Sequence, residues 1–331
     1  MSLLNSIRQS QPNCRADQSI YAEFAARAFG LSYRDLDGGT GLAFSVGSAR
    51  RTIYFGGGRC SFYPQNHATA ATLANDKYLA NVVLGDAGVP TLGGQYFFLH
   101  QRYRAHRPPG HERADALGYL QHLGGRSFAK PLNGSRGDFA QIVEGEVALL
   151  GYLDEVARYY DAVLLQPVVS GDEHRVFVLG DAVLYAARKH PPALRGDGVR
   201  SLRQLLQARE QALQPHGISA ALPDDAALDA ILRDGEVWPI PGRMNRSAGG
   251  RMVLEAPAPE QAAIALSAVR ALGLRVGAVD LFVNIGAVPG AIRVIEVNAN
   301  PSIRSLEDCD RADLILRIWR DTFTTMGLLN V

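Results

Sequence analysis

Two hydrophobic periods run through the chain, and they divide it into helices and strands. IYAEFAARAFG (20–30) reads as a short helix closed by Gly30. GLAFSV (41–46) and RTIYFG (51–56) alternate apolar and polar positions as strands do, and Gly56-Gly57-Gly58 breaks the second. From Ala68 to Ala87 apolar residues recur at helical spacing up to Gly88-Val89-Pro90, which predicts one long helix. QYFFL (95–99) is a strand. RYRAHRPPGHER (102–113) is basic and broken by prolines, so it reads as a solvated loop, with the gripping of an acidic substrate as the other reading. A helix (114–123), the strands SFAKP and AQIVE, and a helix over 147–160 follow. AVLLQPVV (162–169) is nearly all apolar, as a strand buried on both faces would be. HRVFVLGDAVLYAARK (174–189) predicts a hairpin turning at Gly180-Asp181. Helices are expected over 201–213, 224–233 and 260–273, strands over 276–285 and 291–298, and a last helix over 309–327. The class is α+β with mixed sheets and three subdomains, divided as 1–72, 73–168 and 169–331.

Composition narrows the function without naming it. The 331 residues suffice for two or three packed units, and 47% hydrophobic with 20% charged residues is ordinary for a globular chain. A net charge of +1 carries no footprint for bulk nucleic-acid or membrane binding, and no segment reaches 18 uninterrupted apolar residues. Cys14, Cys60 and Cys309 are scattered without a CxxC, which suggests reduced thiols in a cytoplasm. Of 34 basic residues only Lys77, Lys130 and Lys189 are lysine. Lysine is a compact point charge and arginine a wide fork, so the remaining lysines are candidates for places where a fork would not fit, with chance as the other reading.

FAKPLNGSRGDF (128–139) puts a strand lysine ahead of a Gly-Ser-Arg-Gly turn. This looks like a loop for phosphate, but a P-loop has the reverse order, with lysine after the glycines at a helix mouth, so it is not a P-loop. Near the end, VGAVDLFVN (276–284) and IRVIEVNANP (292–301) form two strands joined by a short connection. Alternation puts Glu296, Asn298 and Asn300 on one side, turns Ile295 and Val297 into the core, and lets Asp280 join the polar face. Carboxylates plus an amide carbonyl make a hard oxygen set suited to Mg²⁺. The eight histidines are dispersed and no HExxH occurs, which argues against zinc.

NDKYLANVVLGDAGVPT, FAKPLNGSRG, LLQPVVSGDEHRVFVLGDAVLYAARKHPP, RGDGVRSLRQLL, RMNRSAGGR, VGAVDLFV and VIEVNANPS occur in that order over roughly residues 66–305. Together they resemble the ATP-grasp superfamily of carboxylate–amine ligases, in particular the ATP-grasp part of cyanophycin synthetase and of bifunctional glutathione synthetases. The Arg243, Asn245, Gly249, Gly250 element is also similar to one in the ribosomal-protein glutamate ligases. The resemblance implies an ATP-grasp fold, with ATP held between two α+β subdomains behind a small N-terminal α/β domain. It implies that Lys77 and Lys130 hold ATP phosphates and that Gly134, Ser135, Arg136 and Gly137 fold over them. Gln166, Pro167, Val168 and Val169 would meet adenine through the main chain, and Glu173 the ribose. Arg175 and Arg188 would stabilise the developing charge, with the acyl donor beside them and the Arg243 and Asn245 loop. Asp280, Glu296 and Asn298 would hold Mg²⁺, as two ions replaceable by Mn²⁺.

The implied chemistry is activation of a carboxylate as an acyl phosphate and its condensation with the amine of an amino acid or small peptide, releasing ADP and phosphate. Addition to a larger peptide or protein, phosphoryl transfer without an amine, and non-catalytic nucleotide binding are the other readings. A homodimer, small-molecule substrates, and no nucleic-acid or membrane partner complete the expectation. Asp138-Phe139 departs from the small residues usual after this glycine turn, and Gln166 stands where a glutamate is common. The flanking domains of both relatives are absent, so a free-standing ligase with its own specificity is expected.

Overall fold

The computed structural model describes residues 3–57, 61–134, 137–213, 225–240 and 249–330. Helices α1 (Leu3–Ser10) and α2 (Asp17–Ala28) precede an antiparallel meander of β1 (Ser32–Asp35), β2 (Ala43–Gly47) and β3 (Thr52–Gly56). This segment does not close a core alone. Phe44, Phe55 and Tyr63 pack around Trp319, with Phe44 stacked on Phe55 at 5.0 Å and Phe55 edge-on to Trp319 at 5.8 Å. Trp319 belongs to the last helix, so the two ends of the chain share one aromatic core. The Arg8 guanidinium adds a polar tie, donating to Glu307 Oε1 at 2.9 Å and to Asp17 Oδ1 at 2.6 Å.

The expected long helix over 68–87 is two helices, α3 (Ala68–Asn75) and α4 (Lys77–Asp86). Asp76 between them is extended, and its carboxylate accepts the Tyr78 and Leu79 amides, so it starts a new helix instead of continuing the old one. Lys77 is thereby the first residue of α4. The central sheet follows from β4 (Gln95–Phe98), α5 (Arg113–His122), β5 (Arg126–Pro131), β6 (Gln141–Glu144), α6 (Glu146–Val156) and β7 (Ala162–Gln166), in the antiparallel order β4-β7-β5-β6. Helices α5 and α6 cover one face through Phe97, Leu120, Val143, Leu149, Leu153 and Val163. The apolar run over 162–169 leaves the sheet after Gln166, where Pro167 has no amide to continue the ladder. The basic loop over 102–113 is docked on β4 at two points. Arg107 lies 3.9 Å from the Phe98 ring centre, and His111 stacks on Tyr96 at 4.0 Å.

The remaining elements are β8 (Asp172–Leu179), β9 (Ala182–His190), β10 (Ala193–Arg195), α7 (Leu202–Leu213), α8 (Asp225–Leu228), β11 (Val237–Pro239), β12 (Arg251–Glu255), α9 (Pro259–Ala271), β13 (Val276–Val283), β14 (Ile292–Asn298), α10 (Arg304–Asp308) and α11 (Ala312–Thr325). The expected helix over 224–233 is a single turn, α8. The expected helix over 309–327 is preceded by the short α10, with Asp310 between them at φ 55°. Strands β12-β9-β8-β13-β14 form an all-antiparallel sheet. One face buries Val176, Val279, Leu281, Val294 and Val297 against α3, α4 and α9. The other sends Phe177, Tyr185, Val276 and Ala278 into the aromatic core.

Asn66 ties the linker before α3 to the roots of β13 and β14. Its Oδ1 accepts the Arg275 and Val276 amides at 2.9 Å, and its Nδ2 donates to the Val276 and Ala299 carbonyls at 2.8 and 3.1 Å. All four partners are backbone groups at a buried site, so truncation leaves them unpaired. Asn66→Ala is expected to lower unfolding free energy by about 2–4 kcal/mol in a urea titration; a loss under about 1 kcal/mol would remove Asn66 from this role.

Candidate active site

Asp280 stands at the centre of the charged face of the five-stranded sheet and is 2% exposed. Arg175 on β8 grips it with both fork nitrogens, Nε to Oδ1 at 2.7 Å and Nη2 to Oδ2 at 2.8 Å. Lys189 on β9 donates to Oδ2 at 2.9 Å and makes a second, short ion pair with Glu173. Burial alone would raise the Asp280 pKa, but Arg175 and Lys189 outweigh it and hold the carboxyl well below the usual range. Burial likewise opposes charge on Lys189, yet Asp280 and Glu173 raise its pKa and keep it protonated.

Two one-residue bulges assemble this cluster. On β9, Phe177 pairs with Tyr185 and Val178 with Val183, so Leu184 is left over and the register shifts by one. A regular hairpin from the Gly180-Asp181 turn would pair Arg175 with Ala186 and bring Arg188 to the charged face. The bulge pairs Arg175 with Ala187 and His174 with Arg188 instead, and Lys189 takes the inward position. Arg188 therefore does not join the cluster; it lies on the opposite face and pairs with Asp172 at 2.5 Å. On β14, Asp280 pairs with Glu296 and Leu281 with Val294, leaving Ile295 as the extra residue. Ile295 does not enter the core as alternation predicts; Val294 and Val297 do, and the bulge sets Glu296 directly across from Asp280. Asn298 lies across from Ala278 on the same face and donates to Glu296 Oε1 at 3.3 Å.

Lys130 faces this cluster from the central sheet. It is 5% exposed, and among the described residues its ammonium has no hydrogen-bond partner. Burial lowers its pKa to about 8, only partly opposed by Glu296, Asp280 and Glu173. Lys77, also lowered by burial, donates to the Leu132 and Gly134 carbonyls at 3.2 and 2.5 Å and so holds the root of the glycine turn. Gly137 adopts φ 73°, and Phe139 beyond it the left-handed φ 50°. Phe139 stacks on Tyr159 at 5.3 Å, and Asp138 accepts the Tyr160 hydroxyl at 3.2 Å, which anchors this side of the turn to the end of α6 and the loop before β7. Ser135 and Arg136, and the expected Arg243 and Asn245, lie outside the described residues.

Gln166 is buried, and its amide donates to the Gly93 carbonyl at 2.6 Å. Pro167, Val168 and Val169 bridge the two sheets, and the backbone amides and carbonyls of Val168 and Val169 make no hydrogen bond within the described chain. The arrangement thus offers unused main-chain donors and acceptors, two lysines, an oxygen-rich sheet face and an arginine. Among the described residues no three His, Cys, Asp or Glu side chains gather into a metal site; the set that does converge is two carboxylates and an amide. Lys189 is the member of the cluster left without a role by motif reading. Its rarity as a lysine was the available signal.

No helix among the described residues is long and apolar enough to cross a membrane. No protein-family profile matches the chain. In sequence it is 24% identical over 258 residues to cyanophycin synthetase from Geminocystis herdmanii, a match covering 70% of this chain and 28% of that protein. In structure it superposes on a bifunctional glutathione synthetase from Pasteurella multocida with a TM-score of 0.54 at 17% identity, covering 95% of this chain and 46% of that one. It also overlaps a D-alanine–D-alanine ligase from Bacillus anthracis, with a TM-score of 0.49, 14% identity and 79% and 72% of the two chains. The chain spans less than half the length of the first two relatives. It has the ATP-grasp fold.

Proposed function

We propose that the chain is an ATP-dependent carboxylate–amine ligase that joins an amino acid or small peptide to an amine through an acyl phosphate. The observation that carries this reading is Lys130. A buried ammonium without a hydrogen-bond partner is costly, and an anion brought into the site would satisfy it. The open backbone of Val168 and Val169 lies at the hinge between the two sheets, where it suits the edge of a purine. The names of the relatives, cyanophycin synthetase and glutathione synthetase, favour the same class of reaction. In this reading ATP lies between the part of the chain around residues 73–168 and the part around 169–331.

The residues present fit a hard divalent cation. Glu296 and Asn298 are half-buried on the charged face, and all the donors of Asp280, Glu296 and the Asn298 carbonyl are oxygens. We assign them Mg²⁺, as two ions that Mn²⁺ can replace; bound there it would neutralise phosphate charge. Asp280 already carries Arg175 and Lys189, so its part is also to aim these two cations. Lys130 and Lys77 bind and orient the phosphates, and Arg175 and Lys189 supply fixed positive charge where negative charge develops on the transferred group. The substrate carboxylate oxygen forms a bond to the γ-phosphorus as the bond to the β-phosphate oxygen breaks. The amine then attacks the acyl carbon and phosphate leaves. No protein nucleophile is required, and the glycine turn serves to keep water from the acyl phosphate.

Incubation with ATP, Mg²⁺ and pooled amino acids is expected to give ADP and a product lighter than its summed substrates by one water. A product heavier by a phosphoryl group and not condensed would overturn ligation. Glu296→Ala should abolish ADP formation; full turnover in that variant would refute the metal assignment.

Lys130 also sets a pH dependence. Its ammonium loses its proton as pH rises through about 8, and bound triphosphate favours the charged form. Nucleotide affinity should therefore fall above about pH 8, with binding taking up protons there, measured calorimetrically in buffers of different ionisation heat. Lys130→Arg stays charged and should abolish most of the uptake. Proton uptake unchanged in that variant would exclude Lys130 as its source.

A further inference from the structure

Strand β12 ends the five-stranded sheet, and beside its free edge runs a cavity of about 570 Å³. One wall is residues 250–254, the other includes Ser305, Cys309 and Arg311 from α10 and the turn before α11. The Cys309 thiol approaches the Met252 carbonyl at 3.8 Å, so this carbonyl points away from β9. In an antiparallel ladder a residue turns its N–H and C=O to the same side, and alternate residues turn them to opposite sides. All five residues of β12 are in register with β9; Met252 and Leu254 therefore turn both backbone groups to the cavity, while Arg251, Val253 and Glu255 turn theirs to β9. Apart from the weak thiol contact, these four groups have no partner among the described residues. The Ser305 hydroxyl is buried in the opposite wall, with the Tyr185 hydroxyl beside it.

Edges of this kind are normally blunted by lysine, proline or a covering loop. RMVLE carries neither lysine nor proline, and Val253 is 42% exposed. Met252, in the cavity wall, pairs with Lys189 of β9, and Lys189 in turn touches Asp280 of the charged cluster. We infer that this groove takes an extended peptide substrate, which adds to β12 as a further strand and brings its carboxylate to the cluster. This rests on the ligase reading above and narrows its substrate from an amino acid or small peptide to an extended peptide. The open groups at Met252 and Leu254 are about 7 Å apart along the strand. A free amino acid has no peptide group and cannot bond at both, whereas one stretch of extended backbone does. Among the described residues Arg251 makes no ion pair, so an acidic side chain on the peptide has a partner at the groove.

The test uses the full chain with three probes: a randomised library of N-acetylated hexapeptides with free carboxylates, the same library methylated on its backbone amides, and the free amino acids. Peptides retained on ultrafiltration are identified by mass, and ADP release is followed in parallel with amino acids as amine donors. The expected result is retention of library peptides and loss of at least about tenfold on amide methylation. Leu254→Pro removes one outward amide, a change an edge strand accommodates, and should reduce retention by a similar factor while leaving affinity for a fluorescent ATP analogue unchanged. If Leu254→Pro does not fold, Cys309→Trp fills the groove instead, and the methylated library needs no variant at all.

ADP release with free amino acids alone and no retained peptide would overturn the inference and keep the ligase reading. Groove-dependent retention with no ADP from any probe would keep the docking site and remove the ligase reading. Dimerisation in sedimentation that Leu254→Pro abolishes would make the edge a contact between copies and overturn the peptide assignment.

Discussion

The Asp280 carboxylate is the point on which the site turns. It is buried, charged, and held by a forked arginine and a lysine on two neighbouring strands. A buried carboxylate is tolerated only when its partners are fixed in place, because each ion has lost several kcal/mol of hydration. That requirement ties β13, β8 and β9 into one register. Arg175 and Lys189 thus each hold an anion already, whereas among the described residues the Lys130 ammonium has no hydrogen-bond partner.

The fold supports that face from both ends. The N-terminal segment and the last helix close an aromatic core beneath Phe177 and Tyr185, the residues that continue the charged strands away from the site. Asn66 locks the linker onto the roots of the two strands that carry Asp280 and Glu296. Lys77 reaches from the first residue of α4 to the carbonyls of the glycine turn, and Phe139 packs the far side of the turn against Tyr159 and Tyr160. The two residues that depart from the usual turn, Asp138 and Phe139, thus have a structural explanation in this chain: they anchor the turn to Tyr159 and Tyr160 after α6. Among the described residues, the β12 edge leaves backbone groups open on the far side of the strand that pairs with Lys189.

Much of the fold was legible in the chain. Strand alternation, the Gly180-Asp181 turn and the apolar run of β7 all reported the elements that formed, and the ordered motifs pointed to the fold later found. Boundaries failed where a side chain overrode the period. Asp76 could continue a helix by composition, yet its carboxylate caps the next one. The run after Leu165 stayed apolar through Val169, but a proline without an amide ended the ladder. The site was legible as a set of residue types and less so as a geometry. Asp280 and Glu296 stood out because charge is rare in such apolar strands, and the lysines because only three of the 34 basic residues are lysine; Arg188 came from the resemblance, and the β9 bulge turns it to the other face.

Residue chemistry and period alone determined which side chains could make an anion site and in what order the chain delivers them. Those properties are local, set by the identity of each residue and its spacing from the next. Which of them meet was a matter of register, and register here depends on single extra residues, Leu184 and Ile295. A bulge costs little and leaves no mark in a pattern of apolar residues, yet moving one strand by one position exchanges its two faces. Two such shifts put Lys189 in place of Arg188 and set Glu296 opposite Asp280. These registers bury Val294 and Val297 together and place Lys189 with Arg175 on the Asp280 carboxylate.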